Sequence, residues 1–312
     1  MKCKRCAAKA EVCIRQHNAA FCRACFVFVF QRQVQRAIEK EHMFTPEEEV
    51  LVAVSGGKDS LALWDVLLDL GYRAVGVHLE LGIGRYSEVS ADKSEAFARR
   101  RDARLITVRL DADGVAIPQL TAFTNRPACA ACGTTKRHYF DRVAFEHGFS
   151  VLATGHNLDD EAARLMGNVL RWQVDHLAKQ SPVLESTHAR LVRKVKPLFR
   201  LSEYETAVYA FFRHLDYIVD ECPNSVGATQ LIYKDALNRL EATMPGTKLT
   251  FVQDFLRLGR PAFAGAVTGP PQTCERCGMP AFGSMCSFCR LVGEVESKRL
   301  HRRAAGHSAR PH

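Results

Sequence analysis

One decapeptide sets the architecture: Leu51-Val52-Ala53-Val54-Ser55-Gly56-Gly57-Lys58-Asp59-Ser60. Four apolar residues run straight into SGGKDS, and the apolar-rich stretch 61–68 that follows reads as a helix. Strand, tight loop and helix in that order make an anion site. Gly56 and Gly57 carry no Cβ, so the backbone can turn sharply and approach a phosphate closely. Free N–H groups at the helix start, the helix dipole and Lys58 favour negative charge there. Ser55 and Ser60 add hydroxyl donors. The string is not G-x-x-x-x-G-K-[ST], which needs a longer gap before its lysine. A plain glycine turn is the competing reading, and the order of strand, loop and helix argues against it.

The 312 residues suggest about two units, and 47% hydrophobic content is that of a globular chain. The apolar run at residues 26–30 is too short to cross a bilayer, so no membrane association is expected. The opening Met1-Lys2-Cys3-Lys4-Arg5-Cys6 has no secretory-leader pattern, and the expected compartment is the cytoplasm. Twelve cysteines in a cytoplasmic chain point to metal or redox chemistry rather than structural disulfides. The net charge of +9 is uneven: +6 over residues 1–42, +4 over 270–312 and −1 between them. Basic ends around a neutral middle suit a polyanion such as a folded RNA, although generic surface charge gives the same sum.

Cys3-x-x-Cys6 and Cys22-x-x-Cys25 are 15 residues apart, the spacing of a tetrahedral Zn2+ site. A module this small takes its folding energy from the metal. Cys274-x-x-Cys277 and Cys286-x-x-Cys289, eight residues apart, repeat the pattern as a ribbon or knuckle. Cys13 has no CxxC partner and is left out of both sets. Residues 26–43 read as a helix joining the first finger to the core, with Arg32, Arg36 and Lys40 as an RNA-facing stripe or a solvated face. The expected organisation is a finger and linker helix over 1–42, a catalytic domain over 43–260, a second finger over 261–297 and a basic, disordered tail over 298–312. Residues 259–272 read as a Gly/Pro/Ala linker.

The middle of the chain alternates strands with helices. Strands are predicted at 50–54, 74–79, 105–108 and 151–154, with helices at 90–101 and 135–147. Such alternation implies an α/β fold with a parallel sheet covered on both faces. Its ligand belongs beyond the carboxyl ends of the strands, where SGGKDS, Leu79 and Gly155 all fall. SGGKDS resembles the PP-loop of the ATP pyrophosphatases, which cleave ATP between the α- and β-phosphates and leave AMP on a substrate oxygen. Beyond residue 198 helices are predicted at 203–215, 229–243 and 248–258, with Tyr209, Phe211, Phe212 and Phe251 read as core.

Two further patterns bear on chemistry. Cys129-x-x-Cys132 has no second CxxC nearby, and Cys222 lies 90 residues on in Asp220-Glu221-Cys222-Pro223. Three thiolates with one open position could hold an iron–sulfur cluster whose fourth iron is free. A redox disulfide, a persulfide on Cys222, or three buried structural cysteines are the alternatives. After the fourth strand come Asp159, Asp160 and Glu161. A helix cap explains one acid; three are more than a cap requires, and one could hold Mg2+ or act as a general base.

SGGKDS at 55–60, CAACGTTKR at 129–137, TGHNLDDE at 154–161 and Glu221-Cys222-Pro223 together resemble the TtcA/TtuA tRNA 2-thiolation family, and the flanking knuckles match its TtuA group. The resemblance runs from Cys3 to Cys289. It implies a PP-loop core between two zinc fingers, one 4Fe–4S cluster on Cys129, Cys132 and Cys222, and ATP with Mg2+. It implies ATP contacts at Ala53, Ser55, Asp59, Ser60, Leu79, Lys136 and Gly155, with Val54, Gly56, Gly57 and Lys58 completing the loop. Asp160 is the implied acid/base, and Lys136 would offset charge on the phosphate. The implied partners are tRNA and a small ubiquitin-like sulfur carrier ending in a thiocarboxylate; a homodimer sharing one tRNA is the assembly the family suggests. The implied target is a T-loop uridine at position 54, with anticodon-loop nucleotides as the family's other targets. The alternatives are another PP-loop ligase, which needs no three-cysteine site, and a non-enzymatic zinc-ribbon RNA-binding protein, which needs no SGGKDS.

Overall fold

The computed structural model describes residues 1–307 except residues 226, 267, 268 and 270. The chain opens with a short hairpin, β1 (Val12–Ile14) and β2 (Ala19–Phe21), and a long helix, α1 (Arg23–Lys40). The core follows as β3 (Glu49–Ala53), α2 (Lys58–Asp69), β4 (Arg73–Glu80), α3 (Gly84–Arg101), β5 (Leu105–Arg109), α4 (Ile117–Thr121), α5 (Ala128–Glu146), β6 (Val151–Thr154), α6 (Leu158–Leu170) and α7 (Val174–Ala178). Two short strands, β7 (Val183–Leu184) and β8 (Arg193–Val195), precede α8 (Glu203–Phe212), α9 (Thr229–Thr243) and α10 (Thr247–Asp254). A second hairpin, β9 (Gln272–Thr273) and β10 (Pro280–Ala281), leads into α11 (Ser287–His307).

Val50, Leu51 and Val52 are all fully buried, as a strand covered on both faces requires. They place β3 at the centre of a six-stranded sheet of order β5-β4-β3-β6-β8-β7. All neighbours are parallel except β7, which runs antiparallel to β8. The strand order reverses between β3 and β6, so the crevice at their carboxyl ends is the topological switch point. Ala53 is in register with Val77 on one side and Thr154 on the other. One face of the sheet packs on α1, α2, α3 and α8 through residues such as Phe30, Trp64, Phe97 and Tyr209. The opposite face packs on α4, α5 and α11 through Ile117, Tyr139, Val143 and Leu291. A separate apolar cluster joins α6, α7, α9 and α10. No described helix is long and apolar enough to cross a membrane.

The helices on the first face are tied by one buried carboxylate. Asp65 on α2 is 1% exposed. It accepts from the Tyr209 hydroxyl at 2.9 Å, from Arg213 Nε at 2.8 Å and from the Arg101 guanidinium. Asp69, one turn on, pairs with the same two arginines at 2.7 Å each. Three helices remote in sequence thus meet on two acids.

Several boundaries differ from the sequence reading. The helix expected at 90–101 begins at Gly84, and the one expected at 135–147 begins at Ala128, so the CxxC motif lies on the helix itself. β7 and β8 were not expected. The expected linker is helical through its first part, as a π turn at Phe255–Gly259 and 3-10 turns at Arg260–Ala266; residues 267, 268 and 270 lie outside the described residues. The tail expected to be disordered from Lys298 continues α11 to His307 instead, and residues 308–312 lie outside the described residues. Arg299 and Arg302 lie over the Phe123 ring at 5.3 and 6.0 Å, which gives that extension a partner. Tyr209 and Phe212 are core, whereas Phe211 is 71% exposed. Arg32, Arg36 and Lys40 are exposed on α1.

Removing one side of a buried ion pair typically costs about 3–5 kcal/mol, because the partner charges stay behind. Arg101 and Arg213 keep some solvent, so Asp65→Ala should sit near the lower end. We expect a fall of several degrees in the calorimetric melting temperature. A variant melting where the parent does would remove Asp65 from this role.

Candidate active site

The PP-loop is shaped by backbone contact rather than by side-chain bulk. Gly56 has φ +72°, and a Cβ there would lie 2.5 Å from the Ser90 carbonyl oxygen of α3. Ser60 Oγ accepts from the Ser55 N–H at 3.1 Å and donates to the Gly57 carbonyl at 3.0 Å. Ser90 Oγ donates to the Ser55 carbonyl at 2.8 Å. Gly57 caps α2 in an extended conformation, leaving the helix start open to an anion.

The loop forms one wall of a cleft of about 390 Å³ at the switch point. Of the residues expected to hold ATP, Ala53, Val54, Ser55, Asp59, Ser60, Leu79, Lys136 and Gly155 line it, together with Asp160. Gly56, Gly57 and Lys58 do not. Lys58 turns away and pairs with Glu203 of α8 at 2.6 Å and with Asp59 at 3.0 Å. Lys136 is the only lysine or arginine among the lining residues.

Asp160 is the third residue of α6 and forms a reciprocal cap with Asn157: each backbone N–H donates to the other's side chain at 3.1 Å. The capping role foreseen for one acid therefore falls on Asp160 itself. Its remaining oxygen pairs with Lys234 of α9 at 2.7 Å. Burial alone would raise its pKa, but Lys234, His156 and the Asn157 N–H outweigh it and hold the carboxyl below the usual range. Asp59 shifts the other way: burial and the neighbouring Asp160 and Glu203 charges exceed the pull of Lys58. Asp159 and Glu161 are structural. Asp159 pairs with Lys248 at 2.5 Å and accepts the Glu203 N–H at 2.8 Å, while Glu161 pairs with Lys196 at 2.7 Å.

Among the described residues, two cysteine groups bring four sulfurs within 4.8 Å of one another: Cys3, Cys6, Cys22 and Cys25, and Cys274, Cys277, Cys286 and Cys289. That is the donor set and spacing of a single tetrahedral ion. Burial opposes ionisation of Cys3 and Cys274, but backbone N–H donors bring each thiol down to about 6. Cys13 is exposed and belongs to neither set.

Cys129, Cys132 and Cys222 form a wider group. Cys129 and Cys132 lie in the first turns of α5, and Lys136 follows at helical spacing, so the three share one helix face. The Cys222 segment folds against them: Cys129 Sγ donates to the Asn224 carbonyl at 2.8 Å. Burial raises the Cys132 thiol, Lys136 lowers it, and the charges of Cys222 and Cys129 reach it. Tyr86, on the cleft wall, is raised by burial and then by Cys222 and Cys132. The three sulfurs do not meet the single-ion spacing. Three thiols on adjoining segments are the ligand type that an iron–sulfur cluster takes.

Tyr86, Ser87, Ser90, Phe140, His78 and His156 also line the cleft and were not found from sequence. The loop after each parallel strand was the available signal for Tyr86 and Ser87. Burial pushes His156 down to about 4, and its Nδ1 lies 2.8 Å from the Thr154 hydroxyl. Lys234 and Glu203 bear on Asp160 and Lys58 from far along the chain, and no motif marks them.

A family description of the PP-loop domain matches residues 28–228. The chain is 48% identical over 304 residues to the tRNA-5-methyluridine(54) 2-sulfurtransferase of Thermus thermophilus, covering 97% of this chain and 94% of that one. It is 40% identical over 294 residues to the enzyme of the same name from Pyrococcus horikoshii, covering 94% of each. Among solved structures it superposes on the U34-tRNA thiolase NcsA from Methanococcus maripaludis with its 4Fe–4S cluster, at TM-score 0.80 and 25% identity, over 95% of this chain and 96% of that one. With the loop, the cleft and the three cysteine groups in place, these similarities are those of a member, and the chain belongs to the PP-loop tRNA 2-thiolation family, in the branch of the tRNA-5-methyluridine(54) 2-sulfurtransferases.

Proposed function

We propose that this chain replaces the C2 oxygen of uridine 54 in the tRNA T-loop with sulfur, at the expense of ATP. The arrangement on α5 carries the reading: Cys129 and Cys132 stand on the same helix face as Lys136, which lines the nucleotide cleft. Activation and sulfur delivery then occur side by side.

Uridine O2 is a poor leaving group. Its attack on the α-phosphate of ATP forms an O2-adenylate and releases pyrophosphate. Sulfur then attacks C2, and AMP leaves with the oxygen. The PP-loop backbone and the start of α2 receive the departing pyrophosphate. Lys136 offsets charge developing on the phosphate. Asp160, held ionised by Lys234, can take up a proton or hold Mg2+, but at neutral pH it has none to give. Asp59 is a second carboxylate for the metal. Cys129, Cys132 and Cys222 would hold a 4Fe–4S cluster, which supplies an open iron to keep sulfur deprotonated and close to C2. Sulfur at the sulfide level needs no oxidant or reductant, and a thiocarboxylate on a small ubiquitin-like carrier delivers it at that level. The two four-cysteine sites would each hold Zn2+ and, with the basic ends, position tRNA through phosphate contacts. A homodimer sharing one tRNA and a cytoplasmic location accompany this reading.

Anaerobically purified protein should contain about four iron and four acid-labile sulfide per chain, with zinc at about two. Cys222→Ala should lose most of the iron and keep the zinc. Iron-free parent protein that still thiolates tRNA would remove the cluster from the reaction. Lys136→Met should lower kcat for pyrophosphate release about 10²–10³-fold while ATP affinity changes far less. An unchanged kcat would exclude Lys136 from the adenylation step.

A further inference from the structure

His78 has one ring nitrogen with a partner and one without. The residue is on β4 and only 3% exposed. Nδ1 lies 2.9 Å from the carbonyl oxygen of Val54, at the entry to the PP-loop. A carbonyl only accepts, so Nδ1 carries the hydrogen. Ser94 Oγ, 3.3 Å from the same nitrogen, gives its own hydrogen to the Ser90 carbonyl at 2.8 Å. Burial keeps the ring neutral by lowering its pKa, and Lys136 adds to the effect. Nε2 is therefore a bare acceptor, and it is buried without a hydrogen-bond partner. The same residue lines the nucleotide cleft beside Ser87 and Ser90.

An unpartnered acceptor on a residue that lines a binding cleft selects for a donor. The phosphate oxygens and purine ring nitrogens of ATP are acceptors and leave Nε2 unmatched. The donors ATP offers are the exocyclic amino group of the base and the ribose hydroxyls. All belong to the nucleoside half. We propose that His78 Nε2 accepts a hydrogen bond from one of these donors, which makes His78 a specificity-determining residue of the nucleotide site. The inference rests on the reading of this cleft as the ATP site. His78 has a second task on the other edge of its ring, because its Nδ1–H holds the Val54 carbonyl where the PP-loop begins. One side chain thus links the shape of the phosphate loop to recognition of the nucleoside.

The two tasks can be separated. Asparagine places an amide donor near the position of Nδ1 and has no atom near Nε2. Glutamine places an amide oxygen near Nε2. Binding of ATP, 2′-deoxy-ATP, 3′-deoxy-ATP and purine riboside triphosphate, which lacks the amino group, would be measured by calorimetry on intact protein, His78→Asn and His78→Gln. We expect the parent to prefer ATP over at least one analogue by about threefold to tenfold, the worth of one neutral hydrogen bond. The analogue that loses affinity identifies the donor. His78→Asn should bring that preference to within about twofold, and His78→Gln should retain it. A parent that binds ATP but treats all the analogues alike overturns the role of His78 and leaves the ATP site standing, as does a preference that survives in His78→Asn. A Gln variant as indiscriminate as the Asn one also overturns it. A parent that binds no ATP removes the nucleotide site and this inference with it.

Discussion

The cleft depends on backbone meeting backbone at the switch point. A Cβ on Gly155 would lie 2.9 Å from the Asp59 carbonyl carbon and the Ser60 nitrogen, as one on Gly56 would collide with Ser90. The loop after β3, the loop after β6 and the helix after β4 thus approach more closely than any side chain permits. Anion-binding N–H groups fixed this way need no reorganisation when charge develops on a phosphate, which is the condition for electrostatic stabilisation to lower a barrier. The serine hydroxyls complete the frame. Ser60 and Ser90 each spend their hydrogen on a PP-loop carbonyl, at Gly57 and Ser55, so they act as clamps on the loop before any ligand arrives.

A line of alternating charge extends this frame into the helical part of the chain. Asp59 pairs with Lys58, Lys58 with Glu203, Glu203 with Lys234 at 3.2 Å, and Lys234 with Asp160. These groups are partly buried, where pairing is screened less than at an open surface. The line closes on itself across the cleft, because Asn157 donates to Asp59 at 3.2 Å and caps the same turn as Asp160. Its consequence is a division of labour between two lysines. Lys58 is committed to holding α8 against the loop, and Lys136 remains as the lysine lining the cleft.

The parts of the site that could be read from the sequence were those carried by short, continuous strings. SGGKDS, the CxxC pairs and the strand ends that place Leu79 and Gly155 needed only local spacing. What was missed depends on tertiary packing. Lys234 acts on Asp160 across 74 residues, and a lone lysine on a helix carries no local mark. His78 has the pattern of an ordinary strand residue; only the fold turns it toward Val54. The helix predicted from residue 90 begins at Gly84, which has φ +46°, and its extra turns bring Tyr86 and Ser87 to the cleft. β7 and β8, of two and three residues, are too short to show a period. The tail misled through composition: its charges suit a disordered segment, but Leu291 and Val295 anchor α11 in the core and Glu294 pairs with Lys298 at 3.1 Å, so the helix continues.

The start of α5 shows why its boundary matters to the chemistry. Pro127 precedes the first helical residue, where a missing N–H costs nothing. If the CxxC lay ahead of the helix, as a helix start at residue 135 would put it, the distance between its thiols and Lys136 would not be set by helix geometry. On a helix it is fixed: Cys132 and Lys136 are one turn apart, about 6 Å along the axis. The preceding turn is tied down from outside, where Cys129 Sγ donates to the carbonyl of Asn224, two residues past Cys222. On the proposed reading, a sulfur held at these cysteines and a phosphate held at Lys136 would keep a constant separation, set by helix geometry. An adenylated uridine bound between them would have its leaving group and its nucleophile on one rigid element, and the entropy of bringing the two together would already be spent in folding α5.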